Sequence, residues 1–454
     1  MNGYNIIIDT NSNSIHLTDE VAYDVIAMYK EHPEEELIAR MLEKYPDELT
    51  ADDVIECIDD IKELEAQGKL YSQEDYDDLS YEMKKDDHIK ALCLHVAHTC
   101  NLNCEYCFAS QGKYNGERAL MSFEVGKRAL DFLVENSGHH HNLEVDFFGG
   151  EPLMNIEVVR QLVKYARSIE KENNKHFRFT LTTNGVLLND EIDEFLNEEM
   201  DNVVLSLDGR KEVHDAKRKD YAGNGSYDRI VPKFQRLVEL RGDKSYYVRG
   251  TYTNINKDFT NDIFHIADLG FDELSMEPVV CGEGEPYALT MEDLPVLFEQ
   301  YEILATEMLR REREGRGFTF YHYMIDLNGG PCIYKRLSGC GSGSEYMAVT
   351  PDGTLYPCHQ FVGDTKFIMG DVFSGVKNTS LREEFKCCNL CTKPECKDCW
   401  ARLYCAGGCA ANAYHAAGNI NSTYEFGCEL FRKRMECAIM LQAALQLDRA
   451  EQLQ

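Results

Sequence analysis

The period of apolar positions changes along this chain and separates its regions. The β-branched run at 4–9 and the short stretch 14–17, joined by the turn formers Asn11, Ser12, Asn13 and Ser14, predict a β-hairpin. The spacing then becomes helical over 21–29, 34–44 and 51–67, the last with Val54, Ile58, Ile61 and Leu64 on one face. Gly68 suits a helix C-cap, Lys69-Leu70-Tyr71 predicts a return to strand, and the polar residues 72–87 read as a linker. From Ile89 the period alternates between two and 3.6. Strands are predicted at 91–97, 143–148, 177–183, 202–207, 246–251 and 273–280, separated by helices such as 122–135, 155–171 and 226–241. Six β-then-α units call for parallel strands covered by helices, and the count suits a partial (β/α)6 barrel, with chemistry gathered where strands end. Beyond about Gly330 cysteines dominate, up to a final helix at 429–447. The expected divisions are 1–83, 89–315 and 330–454.

Charge narrows the partners. With 47 basic and 79 acidic residues the formal net charge is −32, which disfavours nucleic acid and anionic membranes and favours a basic peptide or plain solubility. No run is long enough to span a bilayer, and the first residues lack the basic flank and apolar core of a signal peptide. A cytoplasmic location is expected. In that reducing setting the eighteen cysteines, nine of them between Cys387 and Cys437, are better read as metal ligands than as disulfides.

Cys100, Cys104 and Cys107 form a C-x3-C-x2-C loop directly after the first barrel strand. Three thiolates so spaced can hold three irons of a [4Fe–4S] cubane and leave the fourth without a protein ligand. The alternative is a zinc knuckle, for which His98 is the only nearby fourth ligand. Gly149, Gly150 and Glu151 end the second strand, where glycines allow close backbone approach and a carboxylate suits an ammonium. Together with Phe108 after the third cysteine, these motifs resemble the radical S-adenosylmethionine (SAM) superfamily. There SAM chelates the open iron and a GGE motif contacts its amino group. The resemblance makes Gly149, Gly150, Glu151, Phe108 and Ser206 cofactor-binding candidates, with Arg249 a weaker one; Thr182-Thr183-Asn184 and Glu277-Pro278 also end strands near the expected cofactor.

The C-terminal region supplies Cys340-x12-Gly353-x4-Cys358, then Cys396-x2-Cys399-x5-Cys405-x3-Cys409 and Cys428 eighteen residues on. A zinc ribbon is the plain alternative for the middle four. The full register resembles the SPASM extension, which implies two auxiliary [4Fe–4S] clusters and so three in all. On that pattern Cys396, Cys399, Cys405 and Cys428 would hold one, and Cys340, Cys358 and Cys409 the other, with Cys332 a possible fourth ligand. Cys57, Cys93, Cys281, Cys387, Cys388, Cys391 and Cys437 receive no role; Cys57 and Cys93 sit in apolar patterns that suit the core.

The N-terminal hairpin and three helices form a winged-helix-like module that resembles PqqD-like recognition elements, to whose sheet edge a leader peptide adds as a strand. The acidic helices argue against a DNA-binding winged helix. From KALCLH, FASQGKY, DFFGGEP, FRFTLTTNG, YYVRGTYT and MEPVV to GCGSGSEYMAVTPDG, PCHQFVG and CAGGCAANAY, the chain resembles maturases of six-cysteines-in-forty-five (SCIFF) peptides. That resemblance implies a radical SAM thioether synthase acting on a cysteine-rich precursor peptide with a leader. A 5′-deoxyadenosyl radical would abstract hydrogen from an acceptor residue, often threonine, and a flavodoxin or ferredoxin would supply electrons. Two other readings stand beside it. An anaerobic sulfatase-maturating enzyme would place a base Asp after the cysteine matching Cys358, where this chain has His359. A non-catalytic iron–sulfur carrier would have no use for an open iron.

Overall fold

The computed structural model describes residues 3–73, 87–114, 116–282, 284–327 and 333–452. Cys332 and most of the predicted linker lie outside them.

The N-terminal residues build a separate small core. Strands β1 (Asn5–Ile8) and β2 (Ile15–Thr18) pair antiparallel, followed by helices Glu20–Met28, Glu34–Lys44 and Ala51–Ala66. Val25, Leu37, Met41, Val54, Ile58 and Ile61 are buried between them, as the helical spacing predicts. Thr50 and Asp53 form a capping box at the start of the third helix, and Gly68 takes φ +68 just past its end. The predicted strand at 69–71 does not form. Tyr71 turns the chain at φ +51, and Leu70, 3% exposed, closes the three-helix core; its apolar signal came from burial, not from pleating.

The rest of the chain shares one sheet. β3 (Ala91–His98), β4 (Ala119–Leu120), β5 (Asn142–Gly149), β6 (His176–Thr183), β7 (Asn202–Ser206), β8 (Tyr246–Tyr252) and β9 (Glu273–Pro278) include the six predicted strands. β3, β5, β6, β7, β8 and β9 run parallel in that order, and β4 pairs antiparallel with β3. Outward positions such as Leu143, Val145, Phe147, Phe177, Phe179, Val203 and Leu205 are fully buried, whereas the alternate positions Glu144, Asp146, Thr180, Thr182 and Ser206 keep some exposure. An open barrel with a polar inner face follows from that alternation.

Both sheet edges are longer than six units imply. β10 (Thr319–Phe320) adds parallel to β9. On the far side β11 (Tyr346–Val349) adds parallel to β3, and β12 (Thr354–Tyr356), β13 (Gly370–Asp371) and β14 (Gly375–Val376) follow antiparallel. The cysteine-rich region is thus hydrogen-bonded onto the barrel sheet. Helix Glu425–Gln452 starts four residues before the predicted 429 and packs on helix Leu294–Arg313, with Arg313 bonded to Asp448 at 2.8 and 2.9 Å. At the other end, Arg402 reaches Asn11 in the N-terminal hairpin turn at 2.5 Å, so the small N-terminal unit rests against the cysteine-rich region.

Candidate functional site

β3 delivers the chain into the loop that carries Cys100, Cys104 and Cys107. Gly150 N donates to Ala97 O at 2.8 Å and Glu151 N to Thr99 O at 2.9 Å, so the β3–β5 pairing continues into the glycine turn. A Cβ at Gly150 would stand 2.2 Å from Thr99 O, and one at Gly112 would stand 2.8 Å from Gly150 Cα. Only glycine lets these two backbones touch.

Glu151 is 1% exposed. Its Oε1 accepts from Thr183 Oγ1 (2.8 Å) and Leu153 N (3.0 Å), and its Oε2 accepts from Asn184 N (2.8 Å). Burial raises its pKa to about 7, against those three donors. The carboxylate offered by the sequence to a cofactor ammonium therefore also ties the end of β6 to the glycine turn. Asn184, at that strand end, spends its side-chain amide on the cysteine loop: Nδ2 reaches Asn101 Oδ1 at 2.8 Å and Cys100 Sγ at 3.6 Å. Leu102 N also points at Cys100 Sγ, at 3.4 Å. Hydrogen bonds to such sulfurs tune a cluster's potential.

Spacing along the chain gave no sign of Arg218. Its Nε and Nη2 bond Asp208 at 2.9 and 3.0 Å, and Asp208, 1% exposed, also accepts from Tyr106 Oη (2.5 Å) and Thr251 N (3.0 Å). Burial pushes Cys100 to about 12 and Cys104 to about 11, with Arg218 pulling Cys104 the other way. The segment around Arg218 also straps the loop from outside: Asn103 N donates to Lys219 O at 2.7 Å, and Lys217 pairs with Glu105 at 2.8 Å.

Thiols as hard to ionise as Cys100 and Cys104 need a bound cation to become thiolates. The zinc alternative loses its fourth ligand, because His98 bonds His95 at 3.1 Å and stacks on Tyr114 at 4.8 Å. Zinc also requires ligands that converge, and among the described residues no convergent group of three or more contains any of these cysteines. A cubane gives each cysteine its own iron, so the sulfurs stay apart. The donor set fits that cluster.

In the C-terminal region Gly353, at φ +92, closes the β11–β12 hairpin, which explains its place between Cys340 and Cys358. The thiols fall into two electrostatic groups. Cys358, pushed up by burial, feels Cys409 and Cys340. Cys405, raised by burial to about 12, feels Cys428, Cys396 and Cys399. These last four, with Cys409, line one cavity of about 680 Å³. Cys428 enters it from the first turn of the long terminal helix.

Lys393 went unrecognised in the sequence. It is 2% exposed, and its Nζ donates to Gly407 O (2.9 Å) and Ser422 O (3.1 Å). Its charge acts on Cys396, Cys428 and Cys388. Cys388, left without a role above, feels Cys340 and Cys409 and donates to Ile420 O at 3.1 Å.

His359 links the two cysteine regions. Its ring lies 5.7 Å from that of Phe108 and 5.1 Å from that of Phe148, and it directly follows Cys358. Phe108, 47% exposed, follows Cys107. Of the other cofactor candidates, Ser206 is half-buried at the end of β7, opposite Arg249 in register. Arg249 is paired with Glu277, whose carboxyl is raised by burial but held at about 2 by Arg249 and His322.

Residues 94–269 match the radical SAM superfamily, and residues 340–400 match the iron–sulfur cluster-binding domain SPASM. The chain thus carries a radical SAM domain over 94–269 and, after it, a SPASM domain over 340–400. SAM and iron–sulfur clusters are the cofactors of that pair of domains. The chain is 27% identical over 359 residues to a cysteine-type anaerobic sulfatase-maturating enzyme of Clostridium novyi, covering 74% of this chain and 91% of the relative. Among solved structures it resembles the enzyme anSMEcpe with bound AdoMet and a Cp18Cys peptide (TM-score 0.63, 23% identity, 79% of this chain and 99% of that one). It also resembles Streptococcus suis SuiB bound to the precursor peptide SuiA (TM-score 0.54, 17% identity, 90% and 92%). These likenesses establish the fold. Among the described residues no helix is long and apolar enough to cross a membrane.

Proposed function

We propose that this chain is a peptide-modifying radical SAM enzyme that forms thioethers in a cysteine-rich, SCIFF-type precursor peptide, with three [4Fe–4S] clusters. Cys100, Cys104 and Cys107 would hold the SAM cluster. Cys396, Cys399, Cys405 and Cys428 would hold one auxiliary cluster, and Cys340, Cys358 and Cys409 the other. When bound, the reduced SAM cluster and SAM supply the radical that removes hydrogen from a peptide carbon.

The observation that carries this reading is the apposition at His359. Its ring joins the Phe108 end of the cysteine loop to Cys358, so a peptide lying between them is within reach of both regions. Gly149, Gly150 and Ser206 line the strand ends where SAM would lie, and Glu151 and Asn184 hold the turn and the cysteine loop in register. The polar inner face of the barrel admits a peptide backbone, while helices close its outer side. β1 and β2 make a two-stranded sheet with an open edge among the described residues, suited to a leader peptide adding as a strand. Its contact with the cysteine-rich region through Asn11 and Arg402 makes entry of the following core peptide effectively intramolecular.

The likeness to sulfatase-maturating enzymes favours a second reading, oxidation of a single cysteine to formylglycine. The half-buried His359 next to Cys358 argues for the first, because a ring-packed imidazole, its pKa drawn down to about 4 by desolvation, replaces the base carboxylate that the second reading needs. Anaerobic reconstitution with SAM, a low-potential reductant and a leader-bearing cysteine-rich peptide, followed by mass spectrometry, separates the two. Loss of two hydrogens per bridge, resistant to thiol alkylation, supports thioether synthesis. Replacement of a cysteine sulfur by a carbonyl oxygen overturns it in favour of formylglycine.

A further inference from the structure

At the opposite end of the barrel from the cysteine loop, three imidazoles meet where the chain enters β3. His88 stands just ahead of that strand. His139 and His140 belong to the loop between helix Phe123–Asn136 and β5. The ligand nitrogens of all three lie within 4.8 Å of one another, and among the described residues this is the only such group of three or more His, Cys, Asp or Glu ligands. The ring centroids are 4.6 Å apart for His139 and His140, 5.1 Å for His88 and His139, and 5.9 Å for His88 and His140.

The loop is held in this shape by hydrogen bonds of its backbone and of its neighbours. Ser137, fully buried, bonds Val134 O at 2.8 Å, and Ile89 N donates to Asn136 O at 2.9 Å. Lys175 Nζ donates to Gly138 O at 2.8 Å and His140 O at 2.7 Å. His141, the third histidine of the run, is turned away to Asn174 O at 2.8 Å. Gly138 adopts φ +51, and a Cβ there would stand 2.2 Å from His88 Nε2. The missing side chain is what lets the His88 ring lie over the loop.

We propose that His88, His139 and His140 form a binding site for a borderline divalent metal ion, Zn²⁺ the best fit, distinct from the iron–sulfur sites. Neutral imidazoles suit Zn²⁺, Ni²⁺ or Cu²⁺ and not Mg²⁺ or Ca²⁺. Zinc–nitrogen bonds of about 2.0–2.1 Å put tetrahedral ligands about 3.3 Å apart, which rotation of these side chains supplies without moving the anchored backbone. The partly exposed position leaves the fourth ligand to water. An ion held there would pin the start of β3 to the loop that leads into β5.

The test uses the full chain with its clusters reconstituted anaerobically, given one equivalent of Zn²⁺ and then dialysed against a weak chelator. Zinc and iron are counted by mass spectrometry in the wild type and in a His139→Ala/His140→Ala double variant, and the zinc environment is read by X-ray absorption. The proposal expects about one zinc per chain with nitrogen and oxygen neighbours only, lost in the double variant while iron is unchanged. Sulfur neighbours at about 2.3 Å, equal zinc in both proteins, or no retained zinc in the wild type would each overturn it. His141→Ala is the control and should keep its zinc.

Discussion

The cysteine loop at the end of β3 and the cysteine-lined cavity of the C-terminal region each sit beside a largely buried cation, but the two cations are committed differently. Arg218, beside Cys104, is clamped by the Asp208 carboxylate, so the pair brings little net charge to the loop. Lys393, in the cavity wall, donates only to carbonyl oxygens and meets no carboxylate among the described residues. Its full charge is left to face Cys396 and Cys428. A site that keeps an iron open for a ligand carrying its own ammonium has no need of an extra cation. On the proposed assignment, the C-terminal site closed by four thiolates would bury surplus negative charge and gain from one.

Removing a ligand is the harshest way to break this comparison. Cys104→Ala should reduce 5′-deoxyadenosine formation from SAM to background, while the C-terminal cluster signals persist in electron paramagnetic resonance. Next comes Arg218→Met, which strands Asp208 as an unpaired buried carboxylate and should cost about 3–5 kcal/mol of stability in denaturant melts. Arg218→Lys keeps the charge but not the two-pronged geometry and should recover only part of that loss.

His214 sharpens the same point through pH. Its Nδ1 accepts from Asp208 N at 3.3 Å, and burial draws its pKa down to about 4. In the unfolded chain it takes up a proton near 6.5, so the native state binds fewer protons between about 6.5 and about 4. Stability should be complete above that window and fall by up to about 3 kcal/mol as pH drops through it. His214→Gln should flatten that part of the profile. The smallest effect on stability is expected from Lys393→Met, about 1–3 kcal/mol for the two carbonyls left without a donor. Its informative readout is the potential of the C-terminal clusters, which should become more negative, with SAM cleavage little changed.

Much of this was legible in the chain because the signals are local. Alternation over 143–148 and 177–183 gave β5 and β6 to within a residue or two, and cysteine spacing separated the two cysteine regions. What escaped depends on contacts between distant segments. β10 and β11 are two and four residues long and carry no period of their own; β11 is a strand because β3 offers it an edge. The apolar Leu70 looked like a strand residue because packing on helices and pleating in a sheet leave the same mark in three residues. Arg218 and Lys393 are single basic residues in a chain that has 47, and only folding shows that these two are buried beside thiols. Glu151 was found by its motif, but its bonds to Thr183 and Asn184, more than thirty residues on, lie in no local pattern.

The most direct test is an iron and sulfide count on the anaerobically reconstituted chain, wild type against a Cys100→Ala/Cys104→Ala/Cys107→Ala variant. Three independent cubanes predict loss of roughly four irons and four sulfides from a total of roughly twelve each, with the remainder still reducible. A variant that loses all its iron, or a wild type that never exceeds roughly four, would contradict the division into one loop site and two C-terminal sites.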